Sequence, residues 1–248
     1  MKTPFLAPLL LAAAAVALAG LAFAQETFSA SPELDAVVDA AVRDGLVPGA
    51  VLVAGHEGKI VHRKAYGSRA LVPAREAMTV DTIFDLASLT KVAATTPALM
   101  KLFEQGKLRI NDPVTAYLPE FQGGRSDVTV RDLLTHFSGL RPDLDLQPAW
   151  SGYDTGIRRA LEEKSVSPPG TRFVYSGGNT AVLADIMVRA TGTPLRELVR
   201  QTLFEPLGIA NAAWDQDLRG VDVGGWGLNI TTEDIACFGQ LFLQNGAW

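Results

Sequence analysis

The chain has 248 residues, a formal net charge of −5 and a hydrophobic fraction of 48%, enough apolar surface for one domain or two interleaved ones. Acidic and basic residues are mixed without a basic block, which argues against nucleic acid as a partner. The single Cys237 cannot form an internal disulfide, and its position between Ala236 and Phe238 in a helical pattern marks it as a small core residue.

Residues 1–24 read as a targeting segment. Lys2 supplies a positive start, Leu6 to Leu21 is apolar, and Ala22-Phe23-Ala24 is a small-residue cleavage site before Gln25. The apolar run is short for a membrane span. The expectation is therefore a signal peptide at 1–24, a mature chain of 25–248 without a stable membrane anchor, and a periplasmic or secreted location. Next, Ser31 and Pro32 open a helix in which Leu34, Val37, Val38, Ala41 and Val42 recur at helical spacing until Gly45. Two strands follow, Ala50–Ala54 and Ile60–Tyr66, joined by His56-Glu57-Gly58-Lys59 with glycine in the turn. The segment Val72–Val80 then crosses to the part of the chain that carries the chemistry.

In Asp81–Gly106 an extended approach, Ile83-Phe84-Asp85-Leu86, turns into a helix near Ser88. Ser88-Leu89-Thr90-Lys91 places a hydroxyl and an amine three residues apart, on one helix face. A serine in a first turn also lies near free N–H groups and the positive dipole end, which favour developing negative charge. Pro97 should kink the helix or loosen one turn. The wording DTIFDLASLTK and the Ala- and Met-rich helix after it resemble the serine β-lactamase and penicillin-binding-protein superfamily, in its class C-like branch with esterases and amide hydrolases. There Ser-x-x-K is the nucleophile motif. The resemblance implies an α+β fold, an antiparallel sheet flanked by helices with an inserted all-helical region, and a domain spanning 25–248.

Beyond Gly106, Leu108–Val114 reads as a turn and Tyr117–Phe121 as a short helix. Thr129-Val130-Arg131-Asp132 is a capping box. The phrase from Val130 to Leu140 again resembles the superfamily. His136 within it invites a Ser–His pair, but no G-x-S-x-G elbow accompanies it, so it reads as structural. His56, His62 and His136 form no cluster, and no metal or other cofactor is expected. Between Arg141 and Ser167, a Pro- and Gly-containing loop and a helix at Thr155–Lys164 offer Trp150 and Tyr153 as candidate substrate contacts.

The stretch Pro168–Asn179 reads as an extended arm delivering Tyr175 to a Gly-rich turn, with a helix at Thr180–Ala190. By resemblance Tyr175 begins a Tyr-x-Asn element. Its third position is Gly177 here, and Asn179 is the candidate to reach the same space. The catalytic candidates are thus Ser88, Lys91 and Tyr175, and the substrate-binding candidates Trp150, Tyr153, Gly177 and Asn179. A serine hydroxyl needs a base. An ordinary lysine leaves only about 1 amine in 2,500 neutral at pH 7, so Lys91 would need its affinity for the proton lowered, or Tyr175 would act beside it.

Thr193-Pro194 opens a further helix closed by Leu203–Ile209. Gly224-Gly225-Trp226-Gly227-Leu228 and a capped helix from Thr231 fit the same superfamily. The resemblance also implies later sheet strands, including one with a Lys/His-Thr/Ser-Gly motif, and none is found here. This leads to the expectation of a C-terminally incomplete domain with at most two central strands, an open sheet edge and weak or absent activity. The activity implied is acyl-enzyme hydrolysis of a small ester, amide or β-lactam, or of a cell-wall peptide as in D-Ala-D-Ala carboxypeptidases. An inactive binding module is the alternative.

Overall fold

In the computed structural model, residues 32–121, 126–142, 164–216 and 222–248 are described. The targeting segment, Trp150, Tyr153 and most of the helix expected at Thr155–Lys164 lie outside them. Helix α1 (Pro32–Arg43) leads into β1 (Gly49–His56) and β2 (Lys59–Ala70), an antiparallel hairpin. Its two-residue turn, Glu57-Gly58, has both φ angles positive, at 50° and 72°, which matches the right-handed strand twist. A short β3 (Glu76–Ala77) pairs with β2 from within the expected crossing segment, so this sheet has three strands instead of two.

Alternate residues of β2 face opposite sides of the sheet. Lys64 reaches Asp35 of α1 at 2.6 Å, and its neighbour Arg63 reaches Glu233 at 2.8 Å. Glu233 belongs to α6 (Thr232–Leu243), so α1 and α6 cover the two faces. Helix α1 contributes no fully buried side chain, and Val37, expected in its apolar stripe, is 68% exposed. What ties α1 down is polar. Asp35 accepts from Tyr66 Oη at 2.5 Å and from Lys64, and His62 Nε2 lies 3.0 Å from the same phenol. Burial, then the Asp35 carboxylate, pushes the Tyr66 phenol up to about 12.

A second antiparallel sheet has the order β4 (Ile83–Asp85), β6 (Leu228–Thr231), β5 (Ala213–Trp214). It joins the segment before Ser88 to a strand from the far end of the chain, with Phe84 opposite Ile230 and Asp85 opposite Asn229. The chain then forms a 3₁₀ turn at Ala87–Leu89, a π-helical turn at Lys91–Thr95, and α2 (Thr96–Glu104). The π turn ends two residues before Pro97, which lies in the first turn of α2 and whose ring nitrogen cannot donate to the ladder, as expected of a loosened turn there.

The core lies on the helical side. Leu99 and Leu102 of α2 pack with Ile186 and Met187 of α4 (Gly177–Thr191), with Leu133 of α3 (Val130–Leu134), and with Leu195 and Val199 of α5 (Leu195–Val199). The capping boxes at Thr129 and Thr231 are both formed. In place of the short helix expected at Tyr117–Phe121 there is one 3₁₀ turn at Val114–Ala116. Helix α4 starts at Gly177, three residues before its expected start, so the pair Gly177-Gly178 forms a first helical turn and not a loop. Among the described residues no helix is long and apolar enough to cross a membrane.

Candidate active site

Ser88 sits where β4 ends and the helical segment begins, and the junction is strained. Ala87 has φ +44°, in the left-handed region that costs a non-glycine residue about 1–2 kcal/mol. Three bonds hold it there. The Asp85 carboxylate accepts the Ala87 N–H at 2.8 Å, the Leu228 carbonyl accepts the Leu86 N–H at 2.8 Å, and the Leu228 N–H donates to Thr90 Oγ1 at 3.2 Å. Leu228 therefore binds the chain on both sides of Ser88, and the serine is presented on an exposed turn.

Lys91 is 7% exposed, and its Nζ lies 3.1 Å from Ser88 Oγ. The same ammonium donates to the Gly225 carbonyl at 2.7 Å, while Thr95 Oγ1 donates to the Gly224 carbonyl at 2.6 Å. A carbonyl can only accept, so one N–H of Lys91 is committed to Gly225 and the remaining directions of Nζ are left for the serine side. The glycines allow this approach. A Cβ at Gly225 would stand 2.8 Å from Thr180 Oγ1, and one at Gly224 would stand 2.7 Å from the Thr180 carbonyl.

Tyr175 comes from the other direction, at the end of an extended arm just before α4. Lys91 Nζ lies 5.1 Å from its ring centroid, inside cation–π range. The ring is 44% exposed and rests at 4.7 Å, tilted, on the imidazole of His136. Lys91 Nζ thus lies beside both Ser88 Oγ, through local helical spacing, and the Tyr175 ring, through tertiary packing.

The substrate-binding candidates fare differently. Gly177 faces Trp226, whose ring would be 3.5 Å from an added Cβ. Asn179 is 0% exposed and does not reach the space expected of it. Its Oδ1 accepts from Ser138 Oγ at 2.5 Å and its Nδ2 lies 2.8 Å from His136 Nδ1. The reason is the early start of α4, which places Asn179 on the inner side of the first turn.

Two participants escape a reading of the sequence. Gly225 acts through its carbonyl, and the only signal for it is a glycine pair kept for close approach and not for a turn. His136, expected to be structural, has a partner that the sequence does not show. Its imidazole lies against Tyr175, and burial, then the Lys91 charge, lowers its pKa from the ordinary 6.5. Among the described residues no group of three His, Cys, Asp or Glu is placed to hold a metal ion.

The Beta-lactamase family model matches residues 34–245. The chain is 34% identical to Esterase EstB of Burkholderia gladioli over 214 residues, covering 78% of this chain and 54% of the esterase. It is 32% identical to an N-acetylmuramyl-L-alanine amidase of Bacillus subtilis, covering 76% of this chain and 47% of the amidase. Among solved structures, the octameric penicillin-binding protein homologue from Pyrococcus abyssi superposes with a TM-score of 0.75 at 26% identity, over 87% of this chain and 56% of that one. The chain thus spans about half the length of these relatives, which share with it an α+β fold of the β-lactamase and transpeptidase kind. From Leu34 to Asn245, the chain belongs to the Beta-lactamase family of serine hydrolases and penicillin-binding proteins.

Proposed function

We propose that this protein is a serine hydrolase that acylates Ser88, with Lys91 and Tyr175 sharing the proton, and that its substrate is a small ester, amide or β-lactam. The observation that carries this reading is the placement of Lys91 Nζ. That nitrogen is buried, held on one side by the Gly225 carbonyl, and aimed at Ser88 Oγ from 3.1 Å beneath the Tyr175 ring.

In the proposed reaction the Lys91–Tyr175 pair starts one proton short, as amine or phenolate, and takes the Ser88 Oγ proton as that oxygen attacks the carbonyl carbon. The Ser88 N–H, at the positive end of the following helical turns, is one donor for the oxyanion. The pair returns the proton to the departing alcohol or amine, leaving an ester on Ser88. Water then attacks that ester and gives its proton to the same pair, the acyl–Oγ bond breaks to release the carboxylic acid, and the pair returns the proton to Ser88 Oγ. General acid–base help of this kind contributes roughly 10²–10⁴-fold.

An ester is the preferred substrate class. The third position of the Tyr-x-Asn element is Gly177, which removes an amide group suited to binding an acylamide, and EstB is an esterase by name. Residues 1–24 support a periplasmic or secreted location. The test is hydrolysis of a p-nitrophenyl ester, with nitrocefin alongside. Ser88→Ala should reduce ester turnover by roughly 10³-fold or more, and a fluorophosphonate should add its mass to the peptide containing Ser88. A Ser88→Ala variant that hydrolyses the ester at the unmodified rate removes the assignment.

A further inference from the structure

We infer that His136 is a positioning residue for Tyr175, gripping the arm on both sides of the phenol through its own carbonyl and its Nδ1 and carrying the phenol ring on its imidazole face. The inference rests on the hydrolase reading for its catalytic consequence, and on geometry alone for the grip.

The His136 carbonyl accepts the Val174 N–H at 2.8 Å, and its Nδ1 accepts the Ser176 N–H at 3.2 Å. The two residues flanking Tyr175 are thus bonded to one residue across a sequence gap of some 40 positions. His136 makes both contacts with φ +60°. Left-handed φ is unfavourable for most side chains, though His and Asn are enriched there. Farther along, the Gly170 N–H donates to the Phe137 carbonyl and the Val166 N–H to the Gly139 carbonyl, both at 2.8 Å, so the arm is laced to residues 136–139 along its length. Phe173 packs edge-on to the imidazole at 5.9 Å.

The pattern also determines the tautomer. A backbone N–H can only donate, so Nδ1 carries no hydrogen, and the neutral ring keeps its proton on Nε2. The Asn179 amide agrees. Its Oδ1 takes the Ser138 hydroxyl, which turns its Nδ2 donor toward the same Nδ1. Adding a proton to Nδ1 would set an N–H against two N–H donors and open the upper end of the arm. The charged and titratable groups facing the imidazole are Lys91 from the π-helical turn and Tyr175 from the arm. Phe173, Ser176 and Asn179 carry no charge. A positive Lys91 opposes a second positive charge nearby, in the same direction as burial. The imidazole therefore stays neutral at pH 7 and releases Tyr175 only when the medium is acid enough to protonate it.

The experiment uses the full chain. Histidine side-chain 15N NMR at pH 7, with the signal of position 136 identified by its loss in His136→Asn, should show the Nε2–H tautomer and a titration below the ordinary 6.5. In ester hydrolysis, His136→Ala should lower kcat by about tenfold to a hundredfold, the scale of a misplaced catalytic group, with little change in KM. His136→Asn keeps an acceptor at the Nδ1 position and tolerates positive φ, so it should restore most of kcat and lose the acid limb of kcat that His136 creates in the unmodified protein. A proton on Nδ1 at pH 7 overturns the inference. So does an unchanged kcat in His136→Ala, or an acid limb in His136→Asn identical to that of the unmodified protein. Retention of activity by Ser88→Ala would instead overturn the hydrolase reading, and the tautomer would still decide the grip.

Discussion

The position of Lys91 depends on a backbone loop with no room for one methyl group, and Gly224→Ala tests this directly. An alanine Cβ there would sit 2.7 Å from the Thr180 carbonyl oxygen and 2.9 Å from Ala184 Cβ, both on α4. A tolerable carbon–oxygen approach is about 3.3 Å, so the loop must withdraw from α4 by roughly 0.6 Å. Neither α4 contact can yield cheaply, because one is backbone and the other a buried methyl in a close-packed interior. Withdrawal stretches the Lys91 bond to the Gly225 carbonyl from 2.7 Å and the Thr95 bond to the Gly224 carbonyl from 2.6 Å. Both pass the edge of ordinary hydrogen-bond length. Overpacking of this size costs about 1–3 kcal/mol of stability. Loosening a charged hydrogen bond, worth about 1.5–3 kcal/mol when intact, should lower kcat/KM for a p-nitrophenyl ester by roughly ten- to a hundredfold. Thermal unfolding and steady-state kinetics on the same preparation read both effects. A Gly224→Ala protein that melts and turns over like the unmodified one would show that this loop does not hold the lysine.

The same change in open space should have the opposite sign. Gly239 lies on the exposed side of α6, where an added Cβ would meet nothing within 4 Å, so Gly239→Ala should stabilise the protein by about 0.5–1 kcal/mol through helix propensity, measured by urea unfolding. At the other end of the chain, Lys64 and then Tyr66 hold the Asp35 carboxyl below its ordinary 3.8. A carboxyl whose pKa is lower in the folded state adds stability above its unfolded value and loses it as pH falls through the folded one. Asp35→Asn should therefore lower Tm at pH 7, with the gap to the unmodified protein closing as pH falls below the ordinary 3.8. A gap that stays constant from neutral pH into that acid range would exclude this carboxylate as the clasp on α1.

How much of this is legible in the sequence follows from the range of each interaction. Ser88 and Lys91 can be paired on paper because one helical turn separates them, and in the fold they stand 3.1 Å apart. The hairpin and both capping boxes are equally local and equally readable. The start of α4 is not. Glycine is a poor helix former, so Gly177-Gly178 reads as a turn, whereas packing of α4 against α3 and the bonds to His136 draw the helix back to Gly177. That shift buries Asn179, which sequence spacing alone leaves facing substrate.

Residue order by itself pointed to the family, to the hydroxyl and amine of Ser88 and Lys91 and, by resemblance, to Tyr175, because each is written within a short run of adjacent positions. Only the tertiary structure decided that the carbonyl of Gly225 restrains the lysine, and that His136 holds the arm bearing Tyr175. Those contacts join positions 134 and 40 residues apart. They are made by a backbone oxygen and a ring nitrogen whose directions depend on how helices and loops pack, and no local pattern of side chains encodes that.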